Sequence, residues 1–306
     1  MVNFRYHVVS IVAVFLALGM GILAGSTVIS EGTVAQLERN QRQLDETNED
    51  LRRDFNGLER RAAGQDEFAA GILARLVRGT LTNRRIVLAG FDSTPAETLE
   101  ALSGTLLGAG AQVEAVVVLN SDLDLSSEER REAIATALQT STRNPVTLQR
   151  ALAEGLAQAL AGGRAELLTR MTEQGLAEVR TAQGAQSPPL QAQADGGASV
   201  VMVGPAGETE EETARVLILP MAASLSEAQV VSAVCETGSE ELGVLTTLRE
   251  DAGSQVVTVD GVDTPMGQAA VALGLQSAFA GRFGHYGLGE GASAVVPEVE
   301  TPQTPG

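Results

Sequence analysis

The chain has 306 residues, with 21 basic residues, all of them arginine, against 39 acidic ones, for a net charge of −18. That balance argues against nucleic acid as a partner, because phosphate binding needs a basic face. The absence of tryptophan and the scarcity of other aromatics argue against a platform for stacking bases or sugars. A single cysteine, Cys235, rules out an intrachain disulfide, and a chain of this length can build a core that needs neither a disulfide nor a metal to staple it.

Residues 1–7 form a short tail that holds Arg5 and His7. Val8–Ile29 contains no charged residue. As a helix it rises roughly 33 Å, enough to cross a bilayer core of about 30 Å. A cleaved signal peptide has an apolar run of only ~7–15 residues, so the segment reads as a retained anchor, although Leu23-Ala24-Gly25-Ser26 could pass for a cleavage site. Gly21 and Gly25 stand four apart on one face. This is either a small-xxx-small pairing pattern or the ordinary glycine content of membrane helices. The flanking arginines do not fix orientation. A short tail before a long domain reads as tail in the cytoplasm and domain outside the plasma membrane.

Residues 30–65 read as a coiled-coil stalk. Leu37, Leu44, Leu51 and Leu58 recur every seven residues as d positions, with Val34, Gln41, Asn48, Phe55 and Ala62 at a. Charged residues such as Glu38, Arg42, Asp45, Arg52 and Glu59 fill the other faces. Polar Gln41 and Asn48 cost stability but favour one register, typically of two strands. The stalk would hold the domain roughly 50 Å from the membrane. The alternative is one amphipathic helix packed on its own domain. A lone long helix in water is marginal, which favours pairing.

Residues 80–297 read as an α/β domain. Ile86–Gly90 is a buried strand, and Thr94-Pro95-Ala96-Glu97 is a capping box opening a helix lined by Leu99, Leu102 and Leu106. Val113–Leu119 completes a βαβ unit. A helical insertion covers about 126–182, with Ser126-Ser127-Glu128-Glu129 as another capping box and Leu148, Leu152, Leu156 and Leu160 on one face. A Gln-, Gly- and Ala-rich linker spans 183–198. Val200–Val203 and Val216–Leu219 read as strands around an acidic loop, Glu208–Glu212. Ser224–Glu227 caps a helix carrying Val230, Val231 and Val234. Gly243–Leu248 and Gln255–Val259 read as further strands, and Thr264-Pro265 opens a last helix stopped by Gly281. The alternation predicts a three-layer, mostly parallel sheet, with a disordered tail at 298–306.

Open α/β sheets bind ligands beyond the carboxyl ends of their strands. Asp92 and Asp260 each follow a strand, and Asp263 sits at the mouth of a helix. Acids there bind cations or hydroxyls, or more commonly cap helices and tie turns. In the glycine-rich stretch 281–292, His285, Tyr286 and Gly287 join them as a candidate ligand or partner site. Glycines at that density imply special backbone angles or close approach of another surface. The stretch follows a helix and lacks Gly-Lys-Ser/Thr, so it is no phosphate-binding loop; a loop closing one end of the sheet is the simpler account. Cys235 lies in a valine-bearing segment and reads as a small buried hydrophobe. With one cysteine and two histidines no catalytic set is visible, no cofactor is evident, and the methionines form no MxxM cluster for copper(I).

The opening Asn3-Phe4-Arg5-Tyr6-His7-Val8-Val9-Ser10, running into Ala13-Val14-Phe15-Leu16-Ala17-Leu18-Gly19, resembles that of the actinobacterial copper transport family, the MctB-like proteins. Thr258–Pro265, Gly284-His285-Tyr286-Gly287 and Gly291-Ala292 resemble the family's carboxyl-terminal part. The resemblance spans the chain but is thin between about 125 and 215. It implies copper efflux, with copper as the metal concerned, in bacteria with a mycolic-acid envelope, and an outer-membrane location. A channel fits the residues poorly. A pore needs a closed barrel or a helix bundle, whereas this chain offers one span and strands that alternate with helices.

Three readings follow. The first is a non-catalytic interaction protein, paired with itself through the stalk, that docks a cell-envelope partner. The second is direct copper transport or a channel component. The third is an enzyme using Asp92, Asp260 and His285 at the sheet edge, which requires those residues to converge.

Overall fold

The structure, a computed structural model, describes residues 4–121, 123, 125, 127–182, 197–205, 211–238, 243–251 and 255–298. Ser126, most of the expected linker, the first residues of the acidic loop and the tail from 299 lie outside them. The chain divides into two units, Met1–Gln65 and Asp66–Gly306.

The first unit is helical. Helix α1 begins at Phe4 and continues unbroken to Leu76. Its opening stretch, Phe4–Gly25, holds an 18-residue window with a mean hydropathy of 2.5 and is long and apolar enough to cross a membrane. The expected Val8–Ile29 shares Val8–Gly25 with this stretch, and the side chains of 26–35 lie outside the described residues. Among the leucine-spaced positions, Leu37, Leu44, Leu51, Phe55 and Leu58 are all exposed. Gln41 and Asn48 are exposed too, while the side chain of Val34 lies outside the described residues. Apart from the neighbouring backbone of α1 itself, nothing lies within 4 Å of a Cβ built at Gly21 or Gly25.

The second unit is an α/β domain around one mixed sheet of seven strands, in the order β3-β2-β1-β4-β5-β6-β7. Strands β1 (Arg85–Phe91), β2 (Gln112–Leu119), β4 (Ser199–Val203), β5 (Ser232–Cys235), β6 (Val257–Val259) and β7 (His285–Tyr286) run parallel. Only β3 (Ala177–Arg180) is antiparallel, at the edge beside β2. The strands alternate apolar side chains between two clusters, as a two-residue period demands. Val87, Ala89, Val117, Val200 and Met202 enter the first, together with α3 (Glu128–Leu138), α4 (Pro145–Leu160), α5 (Ala165–Glu173), α6 (Glu211–Glu227) and α7 (Gly243–Glu250). Ile86, Leu88, Val116, Val201 and Val257 enter the second, together with α2 (Ala96–Gly108), α8 (Pro265–Phe279) and Val77.

Several elements follow the expectation closely. β1, α2 and β2 form the βαβ unit. Leu148, Leu152, Leu156 and Leu160 are all buried along α4, whose N-cap Asn144 accepts from the Thr147 N–H. Thr264 caps α8 by accepting from the Gly267 N–H, and Gly281 beyond its end has φ +77°.

Other elements differ. Val216–Leu219 belongs to α6 and Gly243–Leu248 to α7, both helices. Buried Leu217, Ile218, Met221, Ala222 and Leu225 recur at helical spacing, and so do Val244, Leu245 and Leu248. A short apolar run cannot distinguish the two states, and the wider window decides. Ser224–Glu227, expected to cap a helix, is the end of α6, and of the valines expected on that helix Val230 and Val231 lie between elements while Val234 belongs to β5, buried at all four positions. The insertion 126–182 contains three helices and also the edge strand β3. The capping boxes shift as well. Ser127 caps α3, and the N-cap of α2 is Pro95 with no side-chain bond. Thr94 Oγ1 instead accepts from the Phe91 N–H at 3.1 Å and donates to the Gly204 carbonyl at 3.1 Å. This ties β1 to β4 at the point where the strand order reverses, the usual ligand crevice of such sheets.

Candidate functional site

Two of the sequence-derived acids end strands, and their surroundings differ. Asp260 follows β6 and is 7% exposed. Its carboxylate pairs with Arg249 at 2.7 Å and accepts the backbone N–H groups of Leu288 at 2.7 Å and Gly289 at 3.0 Å. Arg249, whose side chain is 3% exposed, also donates to Thr258 Oγ1 and to the carbonyls of Tyr286 and Glu290. Thr258 Oγ1 in turn lies 3.0 Å from His285 Nδ1. The glycine-rich segment therefore wraps a buried ion pair, and β7 is the part that hydrogen-bonds to the sheet.

The glycines are there for room. Gly287 has φ +127°, and a Cβ on it would fall about 2.1 Å from Asp260 Oδ1. On Gly284 a Cβ would collide with the Tyr286 ring. Burial and, secondarily, the Arg249 cation hold the His285 imidazole below its ordinary pKa. Burial raises the Tyr286 phenol, an effect partly countered by Arg282. Asp263 Oδ1 accepts the Gly238 N–H at 2.8 Å, and the Gly261 N–H donates to the Gly238 carbonyl. These bonds tie the turns after β5 and β6 together.

Asp92, after β1, is exposed. Its Oδ1 accepts the Ser121 N–H at 2.9 Å and the Ser121 hydroxyl. Beside it opens a cavity of about 520 Å³ lined by Ser93, Thr94, Asn120, Glu178 and Arg180 among others. Glu178 and Arg180 pair at 2.6 Å, and this hydrogen bond pulls the Glu178 carboxyl below the usual range. Both are substantially exposed, so water screens the pair.

The structure thus brings Asp260, His285, Tyr286 and Gly287 together, holds Asp263 at the adjoining turn, and leaves Asp92 apart. β4 and β5 separate β1 from β6. Three strand spacings amount to roughly 14 Å. The trio Asp92, Asp260 and His285 does not converge. At the β6 end, acid and guanidinium are mutually saturated, an arrangement suited to locking a loop. Among the described residues, no three His, Cys, Asp or Glu side chains are placed to hold a metal ion. Cys235 is fully buried, and burial, followed by the Glu236 charge, pushes its thiol far up.

Sequence reasoning missed Arg249, the hub of this network. Its position directly after the segment that carries Val244, Leu245 and Leu248 is the one local signal, and it names no partner.

Comparison with known proteins gives a consistent result. The model of a family described as "Copper transport outer membrane protein, MctB" matches residues 1–297. Proteins named "Copper transporter MctB" from Mycobacterium bovis and Mycobacterium tuberculosis are each 26% identical over 313 residues, covering 97% of this chain and 99% of theirs.

Proposed function

Because the chain belongs to the MctB family of copper transport outer membrane proteins, we propose that it serves copper efflux as a membrane-anchored, non-catalytic docking protein. In this reading α1 is held in the plasma membrane with its N-terminus inside. Two copies pair through the stalk. Each carries a head, a three-layer domain with helices on both faces of the sheet, outside the membrane, where it engages a cell-envelope partner. Copper is cargo of the pathway, and this chain's part is to anchor and organise.

One observation carries the proposal. Leu37, Leu44, Leu51, Phe55 and Leu58, spaced along the helix that begins with the apolar span, are 61–67% exposed in a single chain. Burying each against a second helix yields about 1.5–3 kcal/mol. A lone helix leaves that free energy unrealised. The sheet supports the same division of labour. It is open, with separate edge strands β3 and β7, and helices pack on its faces. A wall of that kind does not enclose a conduit.

The test is complementation. In a strain deleted for the gene, the full chain should restore copper tolerance, and variants with Leu44→Arg and Leu51→Arg together should not. Restoration by the head alone, without residues 1–65, would exclude the anchored, paired mechanism. Copper flux through liposomes containing only this protein would favour direct transport.

A further inference from the structure

We propose that the groove between the last turns of α1 and α2 and the first turns of α8 receives Phe68 from a second copy of the chain. This rests on the paired-stalk reading and deepens it by naming what the head contributes to the pair.

The groove holds about 290 Å³, and Leu73, Val77, Ala101, Gly104, Gly108 and Gln268 are among its lining residues. Its walls are mainly apolar, and Gln268 is engaged by the Thr105 hydroxyl at 3.1 Å. A Cβ placed on Gly104 or Gly108 meets nothing within 4 Å, so the space between the helices is open. Close by on α1, Phe68 is 71% exposed, Ile72 50% and Leu76 38%. Phe68 is the largest of these unburied side chains, and an aromatic of its kind buries ~150–250 Å² when seated.

Heptad register says where Phe68 points. With Leu37 at d, the seam continues through Ala69 and Leu76 at a and Ile72 at d, which places Phe68 at g and Leu73 at the next e. Two chains that enter one membrane through the same N-terminal helix run parallel. In a parallel pair, a g residue of one helix lies against the following e residue of the other. In earlier heptads these positions are polar, with Asp45, Arg52 and Glu59 at e and Thr47, Asp54 and Arg61 at g. In the heptad that meets the head, both become large and apolar. Leu73 packs against the second core cluster and lines the groove. A partner's Phe68 directed at Leu73 is therefore directed at the groove mouth. Two-fold symmetry makes the contact twice.

The full chain in lipid or detergent supports a direct test. Leu51→Cys reports the stalk seam by forming an interchain disulfide, and buried Cys235 stays silent. Phe68 replaced by photoreactive p-benzoylphenylalanine reports what lies at its tip. Mixing isotopically light and heavy protein separates adducts between copies from adducts within one. The expected result is interchain adducts mapping to residues 101–108 and 265–269. Gly104→Leu fills the groove and should cut their yield about fivefold or more, leaving the Leu51→Cys dimer intact and the melting temperature no lower. A Leu51→Cys dimer whose Phe68 adducts lie on its own chain, on lipid or on another protein overturns the groove assignment alone. Failure of Leu51→Cys to cross-link overturns the paired stalk, and the groove assignment with it.

Discussion

The carboxyl ends of β1 and β6 begin alike, each with an apolar strand followed by aspartate, yet one is open and the other sealed. Asp92 is exposed beside a cavity of about 520 Å³. Asp260 is buried under a glycine-rich segment and met by Arg249 and two backbone N–H groups. The local motif is shared, and the difference is made by residues distant in sequence. An aspartate after a strand is therefore a position of opportunity. Whether it becomes a strut or a site depends on what arrives to pair with it.

This contrast can be broken at its strongest point first. Arg249→Ala should leave the Asp260 charge buried without its cation and cost about 3–5 kcal/mol, seen as a large fall in the denaturant midpoint. A loss below about 1 kcal/mol would mean the pair behaves like a surface ion pair and the end is not sealed. Gly287→Ala tests the same lock through space and backbone angle. Its positive φ alone should cost about 1–3 kcal/mol, and the clash with Asp260 adds to that. Protease cleavage within 281–296 would report the released segment.

On the open side, Asp92→Asn should cost only about 0.5–1.5 kcal/mol, because water can replace what Ser121 loses. An effect as large as that of Arg249→Ala would erase the contrast. The smallest expected effect is one of pH. The lowered folded pKa of His285 means that the unfolded chain binds a proton more readily. Its contribution is fully present above the unfolded value of about 6.5 and is lost as pH falls through the folded value. The denaturant midpoint should therefore decline on acidification, and His285→Gln should flatten that decline. An unchanged slope would remove His285 from the lock.

The same contrast shows how far the residues could be read in advance. β1, α2, β2, α4 and α8 were legible because their apolar spacing held over many residues, and at α8 the Thr264 cap agreed with it. Val216–Leu219 and Gly243–Leu248 were not, because segments of four to six residues fit a buried helix as well as a strand. Of the candidate site, the crowding of glycines at 281–292 correctly signalled an unusual backbone and close approach. The surface being approached, Asp260, was already on the candidate list, but the link between them was invisible. Arg249 reaches residues 9 to 41 positions away, and no local rule names such partners. Thr94 shows a subtler failure. Its spacing from Glu97 fits a capping box, but the tie to Gly204 across the sheet won the hydroxyl.

Cys235 carries a consequence for durability. Its sulfur is enclosed in β5 at 0% exposure, with ionisation suppressed by burial. Nucleophilic attack, disulfide exchange and peroxide oxidation all proceed through an accessible thiolate. A head built this way presents no such group, so it can persist in an oxidising milieu without forming stray cross-links or being inactivated at sulfur by that route.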